Sequence, residues 1–196
     1  MAHGDPERRL EVMKDLRIGV GGIGLGFIVL MTTFLSISEI SRLASPFNTL
    51  SFPESFHLDE FLEFFLSIPI IIQALIIAEV SAKLSMVMIA AAGKPAKKES
   101  MALTVIQRMK NRGKSAISII LSLLFLVPFQ WIGIIGLLAG ILVAFLINYI
   151  SLKRFNGITG DVMGATNDIS RVVTLLCIIT ITEMICPFAL GFRIPI

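Results

Sequence analysis

Charge is scarce in this sequence. Only 16% of its 196 residues are Asp, Glu, Lys or Arg, against about 25% in an ordinary soluble domain. That shortage excludes intrinsic disorder, a coiled coil and a water-exposed enzyme surface. Two cysteines exclude a disulfide framework, and two distant histidines, His3 and His57, have no metal-ligand spacing. No G-x-S-x-G, Walker A or H-E-x-x-H motif occurs. Aromatic residues make up 8% of the chain. With so few of them beside the basic residues, nucleic acid is not an expected partner. The N-terminus is polar and of mixed charge, with no short apolar region after it, so no signal peptide is expected. Asp5-Pro6 reads as the start of a short helix reaching about Lys14.

What the sequence has instead is apolar residues in blocks, 55% of the total, with a mean hydropathy of +0.87. About 20 apolar residues cross a bilayer as a helix, and an open sheet cannot sit in lipid. The blocks predict an all-α, polytopic membrane protein with five helices, at roughly 18–40, 62–92, 115–129, 131–151 and 172–190. The corner between the third and fourth falls at Val127-Pro128-Phe129-Gln130-Trp131, where proline lacks an N–H and Gln and Trp suit an interface. The length allows one membrane-embedded domain, residues 1–196. Segments 1–17, 93–114 and 153–171 hold 14 of the 17 basic residues. Five crossings put all three on one side, the cytoplasmic side by the positive-inside rule. Charge bias and helix count, read independently, agree on a multi-pass protein of the cell membrane, with the lipid bilayer as its surroundings. The oligomeric state is left open.

Three groups of polar residues stand out. In Gly157-Ile158-Thr159-Gly160-Asp161-Val162-Met163-Gly164-Ala165-Thr166-Asn167-Asp168, Gly157 and Gly160 permit close backbone approach and Thr159 can cap a helix beginning near Gly160. On that helix Asp161, Gly164, Ala165 and Asp168 share a face. Two carboxylates beside a small-residue floor can hold Mg²⁺ against a diphosphate. The competing reading is a small-residue helix contact with two solvated acids. In the second group Arg17 can grip a phosphate; the alternative is a juxtamembrane anchor ahead of a glycine-rich packing face at Gly22 and Gly26. The third is Glu79 and Lys83, an i, i+4 ion pair inside a membrane helix, where ionisable residues point to function. Glu183, single and nearer the far side, reads as a structural hydrogen-bonding group.

These blocks resemble the cobalamin synthase (adenosylcobinamide-GDP ribazoletransferase) family. Four carry the resemblance, in order: Arg9-Leu10-Glu11-Val12-Met13-Lys14-Asp15 with Arg17 and Gly19; Glu79-Val80-Ser81-Ala82-Lys83; Gly93-Lys94-Pro95-Ala96-Lys97; and Gly157 to Asp168. The resemblance implies a transferase in which a hydroxyl of α-ribazole, or of its 5′-phosphate, attacks the phosphate attached to adenosylcobinamide in adenosylcobinamide-GDP and releases GMP. It implies Mg²⁺ at Asp161 and Asp168. Arg17, Lys83 and Lys94 would meet phosphate oxygens, with Gly157, Thr159, Gly160 and Gly164 shaping the substrate site. Asp15 would orient Arg17 or help bind metal. The family pattern often has glycine where Asn156 stands. Its acidic motif of the kind Gly-x-His-x-Asp-Gly-x-x-Asp, placed before the first block, has no counterpart here. The expectation is a chain short of its first part. Two other classes remain open: a CDP-alcohol type phosphotransferase, whose own acidic signature is absent, and a non-catalytic membrane subunit or transporter lined by Glu79, Lys83 and Glu183.

Overall fold

A computed structural model describes residues 20–44, 68–96, 101–126 and 129–189. The described residues form six helices: α1 (Val20–Ala44), α2 (Ile70–Ala92), α3 (Met101–Met109), α4 (Arg112–Leu126), α5 (Gln130–Phe155) and α6 (Gly160–Ala189). Four contain stretches long and apolar enough to cross a membrane: Gly22–Leu43, Ile70–Ala92, Trp131–Phe155 and Gly160–Met184. The apolar part of α4, Gly113–Leu126, is shorter. These sequences are rich in Ile and Val, mediocre helix formers in water. In lipid a helix pairs its own backbone groups, and that requirement overrides propensity. Hydroxyls that would otherwise be stranded bond back one turn, as Thr33 Oγ1 does to Val29 O (2.8 Å) and Thr166 Oγ1 to Val162 O (2.7 Å).

The central packing unit is α2, α5 and α6, with α1 against α6 and α4 against α2. Lipid supplies no hydrophobic drive for helices to associate, so close packing and buried hydrogen bonds must do so. Gly136 and Gly140 bring α5 onto α2. A Cβ at Gly140 would lie 2.2 Å from Ser81 Oγ and 2.8 Å from Ser81 O. Ser81 Oγ, fully buried, donates to Gly136 O at 2.6 Å, and Thr174 Oγ1 of α6 lies 3.1 Å from Ser81 Oγ. One serine thus ties three helices. Around this contact Ile77, Ala78, Leu84, Leu137, Leu175 and Ile178 form the main core. A second core of Ile89, Ala90, Ile106, Ala144, Ile158 and Met163 closes the basic end.

The sequence expectations of an all-α membrane architecture and of a helix starting near Gly160 are met. Several boundaries differ. The membrane helix expected over 172–190 is the second half of α6, which starts at Gly160 as the motif led one to expect and continues unbroken into the span. Arg171, counted with the basic loop, therefore lies inside a membrane span. The helix expected over 62–92 is described from Ile70, behind Pro69 as N-cap; residues 62–67 lie outside the described residues. The basic loop contains the unforeseen α3, whose Ala102 and Ile106 dock into the second core. Among the described residues Glu183 makes no side-chain hydrogen bond; it is exposed.

Candidate functional site

The site begins where α5 stops. Asn156 ends that helix in the left-handed region, φ 54°, its N–H bonded to Leu152 O at 3.1 Å. Asparagine tolerates this region better than other non-glycine residues. The chain then runs beside the segment after α2: Ile158 N–H donates to Lys94 O (2.7 Å) and Ala96 N–H to Ile158 O (3.0 Å), a short parallel bridge. Gly157 is obligatory here, since a Cβ would come within 2.6 Å of the Ala96 backbone. Ser151 Oγ donates to Gly157 O at 2.5 Å and holds the turn from the other side. Two of the sequence blocks, the basic loop through its described residues Gly93–Ala96 and Gly157–Asp168, are thereby brought together, with the Lys94 backbone pinned three residues before Asp161.

The next residue, Thr159, caps α6, its Oγ1 accepting from Val162 N–H at 3.3 Å. Asp161 sits exposed in the first turn, where the helix dipole favours negative charge. Its carboxylate makes no hydrogen bond or ion pair to a described residue. Gly164 is also open: nothing described lies within 4 Å of a Cβ built there, and the same holds for Gly160. Close packing explains Gly157 but neither of these. A small-residue helix contact at Gly164 therefore has no partner among the described residues, and the floor between the two acids is clear.

Deeper in the span, five side chains of α2 and α6 close into a ring. Lys83 Nζ lies 3.1 Å from Glu79 Oε1 and donates to Asn167 Oδ1 at 3.1 Å. Asn167 Nδ2 donates to Asp168 Oδ1 at 3.1 Å, and Arg171 Nη1 donates to the same oxygen at 3.2 Å. Arg171 Nε and Nη2 complete the ring on Glu79 Oε2, at 3.0 and 2.8 Å. The orientation of the Asn167 amide follows from its neighbours: an ammonium can only donate, so it takes the oxygen, and a carboxylate can only accept, so it takes the NH₂. Two acids and two bases leave the ring neutral. By helical rise it lies about 10–20 Å below the basic end of α2 and α6. Charges at that depth face a cavity or one another. An apolar groove of about 650 Å³ between α1 and α6 opens beside the ring, walled by Leu25, Val29 and Phe34 and reaching Asp168 and Arg171.

The ion pair expected at Glu79 and Lys83 is present, joined by two residues the sequence did not single out. Arg171 stood at the edge of a basic segment, and its partner Glu79 is 92 positions away. No local spacing links them. Asp15 and Arg17 lie outside the described residues. Among the described residues no group of three or more His, Cys, Asp or Glu could hold a metal. Asp161 and Asp168 are seven residues apart on one helix, about 10 Å of rise. One octahedral ion with bonds near 2.1 Å cannot readily take both directly. Among the described residues the carboxylate of Asp161 and Oδ2 of Asp168 have no hydrogen-bond partner, so each can offer Mg²⁺ a single carboxylate anchor, in keeping with a metal that takes few protein ligands.

The family model described as cobalamin-5-phosphate synthase matches residues 1–179. Similar curated proteins include the adenosylcobinamide-GDP ribazoletransferases of two archaea. That of Methanosarcina barkeri is 31% identical over 191 residues, 94% of this chain and 62% of that protein. That of Methanococcoides burtonii is 32% identical over 176 residues, 89% of this chain and 58% of that protein. The Clostridium kluyveri protein of the same description is 36% identical over 113 residues, 54% of this chain and 44% of its own. The chain thus spans about three fifths of the length of the two archaeal relatives. No solved structure matches it.

Proposed function

The chain belongs to the cobalamin-5-phosphate synthase family, and on that premise we propose that its basic end binds the diphosphate of adenosylcobinamide-GDP and directs α-ribazole, or its 5′-phosphate, onto it. The acceptor hydroxyl forms a new bond to the phosphorus that carries the cobinamide, the bond from that phosphate to GMP breaks, and the hydroxyl proton leaves to solvent or a nearby base. The products are adenosylcobalamin, or its phosphate, and GMP. Such transfers depend on positioning and charge neutralisation more than on covalent catalysis. Magnesium anchored at Asp161 or at Asp168 would neutralise charge developing on the leaving phosphate. Lys83 and Lys94 are suited to meet further phosphate oxygens, Arg17 and Asp15 to extend the same surface, and Gly157, Thr159 and Gly160 to hold the turn that presents it.

One observation carries this reading: the Lys94 segment is hydrogen-bonded to the Gly157 turn, directly ahead of a helix whose exposed face offers Asp161, an open Gly164 and Asp168. A CDP-alcohol type transferase and a non-catalytic transporter are both disfavoured by the family match. The test is to supply the purified chain, in lipid nanodiscs, with adenosylcobinamide-GDP, α-ribazole or its phosphate, and Mg²⁺. GMP release requiring both substrates and the metal is expected. A monodisperse, helical chain that releases none would remove the activity from this chain.

A further inference from the structure

We infer that Arg171 and Asn167 are positioning residues for Asp168, fixing which of its two oxygens faces the diphosphate. The inference rests on the reading of Asp168 as a magnesium-anchoring carboxylate. Arg171 Nη1 and Asn167 Nδ2 both donate to Oδ1, at 3.2 and 3.1 Å, and no described group meets Oδ2. Two donors on one oxygen stop the carboxylate from rotating and leave a single oxygen, of fixed direction, for a ligand. Both donors are themselves held from α2. Glu79 Oε2 accepts from Arg171 Nε and Nη2, and Lys83 Nζ donates to Asn167 Oδ1. The direction of Asp168 on α6 is thus set by the register of α2. Groups that hydrogen-bond a metal-binding side chain fix its orientation, and losing them costs about 10–100-fold in metal affinity.

Charge complicates the obvious variant. Removing a cation beside a carboxylate raises metal affinity by itself, which would mask lost positioning. Arg171→Lys avoids this. It keeps the charge, but a single ammonium cannot reproduce the planar fork that reaches Glu79 and Asp168 together. Asn167→Ala removes the second donor without changing charge and leaves the Arg171–Glu79 pair intact.

The experiment is Mn²⁺ binding to the full chain in nanodiscs with inorganic pyrophosphate present, read by EPR, with thermal unfolding followed in parallel. The unaltered chain should bind and Asp168→Asn should lose that binding. Arg171→Lys should bind about 10-fold or more weakly, with Asn167→Ala shifted in the same direction. If Arg171→Lys fails to fold, Asn167→Ala decides. Binding unchanged in the folded variants, while Asp168→Asn loses it, overturns the positioning role and leaves the magnesium reading standing; lowered thermal stability alone would then mark the ring as structural. No binding by the unaltered chain, or unchanged binding in Asp168→Asn, overturns the magnesium reading and the inference with it.

Discussion

At the scale of single residues, two glycines in one motif exist for different reasons, and that difference can be measured. A Cβ at Gly157 meets the Ala96 backbone at 2.6 Å, and backbone cannot step aside as a side-chain tip can. Gly157→Ala should therefore cost about 1–3 kcal/mol of stability, typical of overpacking, seen as a lower thermal midpoint. A Cβ at Gly164 meets nothing described within 4 Å, which leaves open space for the base of the Gly164→Leu side chain. That variant's midpoint should hold while turnover falls, because the new side chain occupies the floor between Asp161 and Asp168. Asp161→Asn keeps the shape and removes the charge, so it should lower turnover and alter the magnesium requirement at unchanged stability. Unchanged activity with an unchanged magnesium requirement would strike Asp161 from the site. In the ring, Glu79 is the node between two cations. Glu79→Gln should lower the thermal midpoint more than Lys83→Met, by roughly 1–3 kcal/mol for charged hydrogen bonds, because Lys83→Met leaves Glu79 its two bonds from Arg171. Equal losses would show that the ring is not organised around Glu79. The close approach at Gly157 was legible in the sequence. The openness of Gly160 and Gly164 was not, since the same residue type serves both tight and empty places.

At the scale of elements, long apolar runs made the membrane helices legible, α2 included in spite of Glu79 and Lys83, while short helices and strongly polar helix starts were harder to place. The start of α6 carries Asp161, Asn167, Asp168 and Arg171 within its first twelve residues, and so the apolar pattern places the membrane helix only from 172, while the Thr159 cap places a helix start near Gly160. α3 is nine residues long and lies among basic residues. Its own pattern of Ala102, Ile106 and Met109 at i, i+4 and i+7 was the available signal. The crossing of α2 and α5 was hidden for another reason: Gly136 and Gly140 sit inside a wholly apolar run, where nothing distinguishes a contact glycine from a spacer. The structure makes the distinction. Gly140→Ala places a methyl against Ser81 Oγ and its carbonyl, at 2.2 and 2.8 Å, and disturbs the serine that bonds α5 and α6 at once. The expected result is a clearly lower thermal midpoint, larger than for Gly26→Ala on α1, where no described atom lies within 4 Å. A Gly140→Ala chain as stable as the original would mean that these helices are held by something other than close approach.

For the whole molecule, the short helix α4 decides which way the site faces. Its fifteen residues rise about 22 Å, less than the roughly 30 Å hydrocarbon core, so length alone leaves a full crossing undecided. Charge supplies the constraint. Lys110 and Lys114 stand at the start of α4, and Lys153 and Arg154 at the end of α5. Both groups fall on one side only if α4 crosses and α5 returns. If α4 instead dipped in and came back, α5 would begin on the basic side and carry Lys153 and Arg154 across, against the positive-inside rule. The hydrogen bonds between Ile158 and the Lys94 segment hold the ends of α2 and α5 together, so α5 must end on the side where α4 begins, which again requires α4 to cross. Single cysteines placed at Arg42, Lys114, Trp131 and Lys153, after Cys177 and Cys186 are replaced by serine, can be probed with an impermeant thiol reagent on intact cells. Arg42→Cys and Trp131→Cys should label from outside; Lys114→Cys and Lys153→Cys should label only after permeabilisation. Labelling of Lys153→Cys from outside while Lys114→Cys stays protected would make α4 a re-entrant helix and would overturn the pairing of Ile158 with the Lys94 segment. With the expected pattern, the basic ends of α2 and α5 and the start of α6 face the cytoplasm, and the proposed diphosphate would approach Asp161 from that side.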